Sequence, residues 1–211
     1  DFADADHFIV ADASGRLHLL NAAANGVERI ALQTIDATRS VGELQLTGAV
    51  AEPLADDGGL AARRLLDAGR ILLAADSLGA GEVMIEKAVA YAGEREQFGR
   101  VIGSFQAVKH MSAEMADRHE PCRALVWYAA HAFDAAPGEA ALMACHAKSH
   151  TGEVHRFVAR TATEVHGGMG FTDLLGLHFW FKRIGFNRQV LGGPERVREE
   201  AAQLQGLTTA Q

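Results

Sequence analysis

Two stretches of the chain hold residue types at spacings that could do chemistry. Tyr91 to His110 reads Tyr-Ala-Gly-Glu-Arg-Glu-Gln-Phe-Gly-Arg-Val-Ile-Gly-Ser-Phe-Gln-Ala-Val-Lys-His, which puts Arg95 and Arg100 beside a glycine-bearing turn that opens a helix at Ser104. Unpaired amides at a helix start, with a guanidinium beside them, suit a phosphate or diphosphate. Thr163 to Thr172 reads Thr-Glu-Val-His-Gly-Gly-Met-Gly-Phe-Thr, three glycines in four residues directly after a helix. Such a bend lets backbone approach a ligand closely. Taken singly, each stretch reads equally well as a tight connection between helices.

The ten histidines raise a metal centre as a second chemistry. His146 and His150 stand four apart on one helix face, with Cys145 and His155 nearby. No Glu follows the first His as a zinc-hydrolase helix requires, so the set reads as a packed or solvated helix face and no metal is assigned. A serine-nucleophile motif, a Walker loop and the paired Glu-x-x-His of a diiron bundle are all absent from the sequence.

The totals narrow the class. With 211 residues, 48% hydrophobic and 22% charged, the chain can bury a sizeable core. A net charge of -7 and a pI near 5.8 argue against a nucleic-acid binder, which needs a basic stripe. Cys122 and Cys145 both lie in apolar helical pattern, so no disulfide framework is expected and both read as buried thiols. No apolar run approaches the ~20 residues of a membrane span, and Asp1 to Asp6 is acidic where a signal peptide is basic, so the expected location is cytoplasmic.

The elements that must position these residues fall into two periods. His7–Ala11 and Arg16–Leu20 flank Asp12-Ala-Ser-Gly15 and predict a hairpin, and Val27–Ile35 and Glu43–Val50 predict two more strands. Four such strands bury too little to stand alone. Pro53 to Gly59 reads as a linker that leaves acidic residues at a helix start. Leu60 to about Glu94 predicts one long buried helix, in which Gly79 and Gly81 call for a packing reason. Ser104 is expected to cap a second helix running to about Asp134, kinked or broken at Pro121. Pro137 opens a third that Gly167-Gly168 ends. Thr172 to about Leu191 predicts one further helix capped by Thr172 or Asp173, and Pro194–Leu204 a shorter one. The fold class expected is mainly α, an antiparallel four-helix bundle over residues 57–206, preceded by a few strands within residues 1–52. Trp127, Tyr128, Phe179, Trp180 and Phe181 read as core or interface aromatics.

The two motifs together, about seventy residues apart, resemble the acyl-CoA dehydrogenase family. Arg95, Gln97, Phe98 and Gly99 match its Arg-x-Gln-Phe-Gly turn. Ile102, Gly103, Phe105, Gln106 and His110 match the helix that follows, and Gly167, Gly168, Gly170 and Phe171 match its second turn. The resemblance implies that residues 1–52 are the remnant of a middle β domain. It also implies that both turns hold the ADP half of an FAD whose ring lies in a neighbouring subunit, hence an oligomer. Arg95 would meet the diphosphate, Gln97 and Phe98 would line the nucleotide, and Gly167-Gly168 would let backbone approach it. Glu164 stands where the family has Gln, an acceptor-only group that either pairs with a basic neighbour or weakens FAD binding. His166 is expected to orient local backbone. Asp67 and Arg70 match the family's Asp-x-x-Arg along the acyl-CoA channel, and share one helix face; an ordinary surface ion pair is the alternative. Thr38-Arg39 matches a dipeptide near the family's last middle-domain strands.

The family's reaction removes an α-proton of a thioester with a carboxylate while FAD takes the β-hydride. The resemblance puts that base either in a turn that reads Val190-Leu191-Gly192 here, or on the first long helix at Gly69. Neither holds an acid, so the catalytic base is unassigned. The resemblance also places the start of this sequence after the family's amino-terminal helical domain and flavin-facing strands, as in a fragment or a short subunit. Three readings stay open: an acyl-CoA dehydrogenase-like subunit desaturating an acyl-CoA; a silent subunit completing the FAD site of a heteromeric enzyme; and a flavin-free helical interaction module. The partners implied are the acyl-CoA substrate, a second copy or a complete acyl-CoA dehydrogenase subunit, and an electron-transfer flavoprotein.

Overall fold

A computed structural model describes residues 2–208. The chain divides into two compact units, one ending at Leu66 and one beginning at Asp67.

In the first unit, β1 (His7–Ala11) and β2 (Leu17–Asn21) form the expected antiparallel hairpin, with Phe8 opposite Leu20. Asp12 closes its turn by accepting from the Ser14 and Arg16 amides and the Ser14 hydroxyl, which holds its carboxyl far below the usual carboxylate range. Strands β3 (Val27–Leu32) and β4 (Val41–Leu46) pair in a separate ribbon, Val27 opposite Leu46. β3 stops before Ile35 because Asp36 turns the chain there, accepting from the Thr38 amide and hydroxyl at 3.0 and 2.5 Å. β4 begins and ends earlier than its alternation suggests, since Thr47 donates to the Gly26 carbonyl and Gly48 turns left-handed. The predicted linker is also corrected. Its start belongs to a fifth strand, β5 (Glu52–Ala55), paired with β2 at the sheet edge, where the missing Pro53 amide is tolerated. Asp57 takes the Ala61 amide at the following helix start, as the acidic run implies.

Helix α1 spans Leu60–Glu94 without interruption. A two-residue ribbon, β6 (Glu96–Gln97) and β7 (Arg100–Val101), then leads through a 3-10 turn at Ile102–Ser104 into α2 (Gln106–Ala135). Ser104 is not the cap of α2. Phe105 holds that position in extended conformation, and the Ser104 hydroxyl donates back to the Val101 carbonyl at 2.7 Å. Pro121 does not break α2, although it removes one backbone donor. Helix α3 (Pro137–His166) starts on its proline and stops at Gly167 (φ 58°). The single helix expected from Thr172 is instead a 3-10 turn at Asp173–Leu175, a left-handed Gly176, and then α4 (Leu177–Gln189). Helix α5 (Pro194–Leu204) closes the chain.

In the second unit α1–α4 form the four-helix bundle, with a core that includes Met84, Met115, Val158 and Ile184. Each of these buried side chains contributes roughly 1.5–3 kcal/mol by leaving water. Helix α5 packs on α3 through Val197, Ala201 and Cys145. Both cysteines are buried, and burial pushes the Cys122 thiol up to about 11. Gly81 has its packing reason: a β-carbon there would stand 2.1 Å from the His155 ring, whereas Gly79 meets nothing. Asp76 on α1 ties down α4, accepting from Asn187 at 2.7 Å and Arg183 at 3.4 Å. Among the described residues no helix is long and apolar enough to cross a membrane. Trp127, Phe179 and Phe181 remain exposed on the bundle, whereas Trp180 packs against the core.

Candidate functional site

Where α1 ends and α3 ends, the two motifs meet. A cleft of about 450 Å³ is lined by Tyr91, Arg95, Gln97 and Ile102 on one side and by Val165 through Met169 on the other. Local folding explains the convergence. The β6–β7 ribbon reverses the chain so that the Ile102 amide donates to the Arg95 carbonyl at 2.7 Å, locking the turn onto the last turn of α1. Across the cleft, Gly167 ends α3 in a conformation that only glycine adopts without strain, and β-carbons built on Gly167 or Gly168 would meet open space. The wall between them is a stack of Tyr91 on His166, ring centroids 4.5 Å apart. His166 is buried and fixed by Nδ1 at 2.7 Å from the Ala162 carbonyl, which suits a positioning part rather than proton transfer.

The two arginines of the first motif separate. Arg100 is spent over the Phe105 ring, 4.0 Å from its centroid. Arg95 is exposed and its guanidinium makes no hydrogen bond or ion pair with any described residue. A free guanidinium facing a glycine bend fits the diphosphate of a dinucleotide.

Two expected cofactor residues stand elsewhere. Phe98, left-handed at φ 56° and 92% exposed, lies at the tip of the ribbon, edge-on to Phe105, and does not line this cleft. Glu164 lines a different cleft, shared with Arg118, Arg156 and Arg160, because helical phase turns it away from Val165 and His166. It stands among basic neighbours and outside the Arg95 cleft.

Asp67 and Arg70 are both buried, which rules out an exposed ion pair. The Arg70 guanidinium donates to the Leu191 carbonyl at 3.1 Å, to Glu200 at 2.7 Å and to the Cys145 sulfur at 3.3 Å. Beside it, Gly69 meets Leu191 so closely that a β-carbon on residue 69 would stand 2.5 Å from the leucine Cδ1. The two sequence positions that could have carried a base are therefore neighbours in space.

Sequence reasoning missed two features of the second unit. Lys148 is buried and donates to the carbonyls of Arg188 and Gly192 at 3.0 and 3.2 Å. No side-chain spacing marks it, since its partners are backbone carbonyls. The other is a buried histidine pair, His119 Nδ1 to His155 Nε2 at 3.1 Å, with His155 Nδ1 on the Thr151 carbonyl at 2.8 Å. Burial pushes His155 down to about 4 and lowers His119 as well. Among the described residues no group of three or more His, Cys, Asp or Glu could hold a metal ion.

Known proteins share this architecture. A family model described as the acyl-CoA dehydrogenase C-terminal domain matches residues 56–204. The chain is 38% identical over 164 residues to acyl-CoA dehydrogenase IpdE2 of Mycobacterium tuberculosis, covering 78% of this chain and 48% of that protein. It is 35% identical over 172 residues to its Mycolicibacterium smegmatis counterpart, covering 81% and 51%. Among solved structures, the ChsE4-ChsE5 complex from Mycobacterium tuberculosis superposes with TM-score 0.87 at 29% identity, over 99% of this chain and 58% of that one. A variant of the Tcur3481-Tcur3483 steroid ACAD superposes with TM-score 0.88 at 30% identity, over 96% and 55%. The chain spans about half the length of the curated relatives it matches. A matching bundle, matched motifs and a matched family model over most of the chain lead to one conclusion: this chain belongs to the acyl-CoA dehydrogenase family.

Proposed function

We propose that the chain contributes to an FAD-dependent α,β-desaturation of an acyl-CoA thioester, as a subunit that grips the ADP half of FAD at an oligomer interface. The observation that carries this reading is the shared cleft, in which the uncommitted Arg95 faces the Gly167-Gly168 bend. Arg95 would pair with the diphosphate, the glycine bend would admit it without a side chain in the way, and Gln97 would border the nucleotide. Phe98 and Phe171, both highly exposed, would be covered by the neighbouring subunit. When bound, FAD supplies the hydride acceptor. Residues 1–52 are read as the remnant of a middle β domain, Asp67 and Arg70 as the inner wall of the acyl-CoA site, and an electron-transfer flavoprotein as a candidate acceptor of the electrons.

A second reading is favoured by one observation. Both positions at which the family resemblance expects a base, Gly69 and Leu191, carry no acid and pack on each other. The subunit would then be catalytically silent and complete the FAD site of a partner that holds the base. The relatives include a structure described as a ChsE4-ChsE5 complex, which makes a heteromer a concrete expectation to test. The flavin-free module loses its main motive, since Glu164 stands outside the Arg95 cleft.

The absorbance spectrum of the protein, purified alone and after co-expression with a complete acyl-CoA dehydrogenase subunit, tests the proposal. Flavin absorbance bleached by an acyl-CoA in the chain alone supports the first reading, and flavin retained only in the co-expressed complex supports the second. A colourless protein in both preparations would overturn both.

A further inference from the structure

The turn between α4 and α5 is an unusual piece of backbone. Leu191 sits at φ 58° and Gly192 at φ 106°, so a branched residue holds a left-handed conformation that favours glycine. Something must over-determine that conformation for it to persist. Arg70 reaches the Leu191 carbonyl from α1, and Lys148 reaches the Arg188 and Gly192 carbonyls from α3. The two buried cations thus hold three carbonyls in five residues.

The surroundings show that Lys148 is there for those carbonyls. No carboxylate of the described residues bonds its ammonium. Arg70, which faces it from α1, is paired with Glu200 of α5. Arg188, which faces it from α4, is paired with Glu153 of α3 and Glu195 of α5. Cys145, one turn away on α3, meets Arg70. Burial and these two guanidinium groups push Lys148 down to about 8. A buried ammonium with only carbonyl partners is costly unless its hydrogen bonds are all made well.

We propose that Lys148 is the positioning residue of the α4–α5 turn, holding Leu191 over Gly69 by gripping the carbonyls on either side of it. With the turn fixed, the leucine side chain fills the space that a longer residue 69 would need. What this does to acyl-CoA rests on the reading above, whereas the position of the turn does not.

Amide hydrogen exchange in the purified protein, without ligand, tests it. The Val190 and Gly192 amides donate to the Phe186 and Gln189 carbonyls and report whether the turn is closed. In Lys148→Met, which keeps the stem and removes the donors, these two amides should lose protection at least ten-fold while α2 amides keep theirs. Unchanged protection at the turn in a folded Lys148→Met protein would overturn the proposal. A second measurement needs no variant. The Lys148 side-chain carbon resonance in the wild-type protein should titrate below the ordinary lysine value, as burial beside Arg70 and Arg188 requires, and titration at the ordinary value would place the ammonium in water and equally overturn it. Because no acyl-CoA is present, either failure leaves the flavin reading standing, and a failure of that reading leaves this result intact.

Discussion

Leu191 and Gly69 touch across the bundle, leucine Cδ1 lying 2.5 Å from where a β-carbon on residue 69 would be. Of all contacts in the second unit this one says most about chemistry. Both residues stand where the family resemblance looks for a carboxylate, and here they form a small apolar contact instead. Glu200 on α5, an acid in the same neighbourhood, is held by Arg70.

That contact predicts a coupled pair. Gly69→Ala should cost about 1–3 kcal/mol, the range for overpacking, because the new methyl drives into the leucine. Leu191→Ala removes the obstructing carbon, so the double variant should lose clearly less than the sum of the single ones. Chemical denaturation of the four proteins of the cycle measures it, and simple additivity would show that the residues do not meet.

The glycine bend separates stability from binding. Gly167→Ala forces a side chain into φ 58°, and should lower stability by roughly 1–3 kcal/mol. Gly168→Ala meets nothing within the protein and should leave the melting temperature unchanged. Its methyl would nevertheless project toward the cleft, so flavin retention in the assembled protein should fall. Thermal melts alongside flavin absorbance check both.

Arg100 and Arg95 should behave as opposites. Arg100→Ala loses the contact over Phe105, a change of about 0.5–1 kcal/mol in stability, with flavin content unaltered. Equal flavin loss on removing either arginine would contradict the division of labour.

The histidine pair sets an acid limit. His155 titrates near 4 in the folded protein, below its unfolded value near 6.5, because burial opposes its charge. Between those values the unfolded chain binds the proton and the native one does not. Stability therefore falls as pH drops from about 6.5 toward 4, by at most about 3 kcal/mol from this group. Denaturant midpoints should show wild-type stability relative to His155→Gln highest above pH 7 and falling toward pH 4.5, since the variant lacks that proton uptake.

What the sequence made legible follows from what leaves a local mark. The Arg95 and Gly167 motifs carry their own turn chemistry, and α1, α3 and α5 announce their ends with glycine and proline, so these were visible. The packing reason for Gly81 was expected, although its partner His155 lies 74 residues away and only the folded bundle reveals it. Phase at a helix end decided Glu164: one residue before Val165 turns it into another cleft. Ser104 misled because a serine before a helix usually caps it, and here a 3-10 turn shifts the start of α2 onward. Lys148 was invisible, since its partners are backbone carbonyls that no side-chain pattern encodes.

Whether one guanidinium and one glycine bend grip the same diphosphate is read from the FAD dissociation constant of the assembled protein with and without Arg95→Ala. Arg95→Ala should weaken it at least ten-fold, with helix content and oligomeric state unchanged. An Arg95→Ala assembly that binds FAD as tightly as the wild type would contradict it.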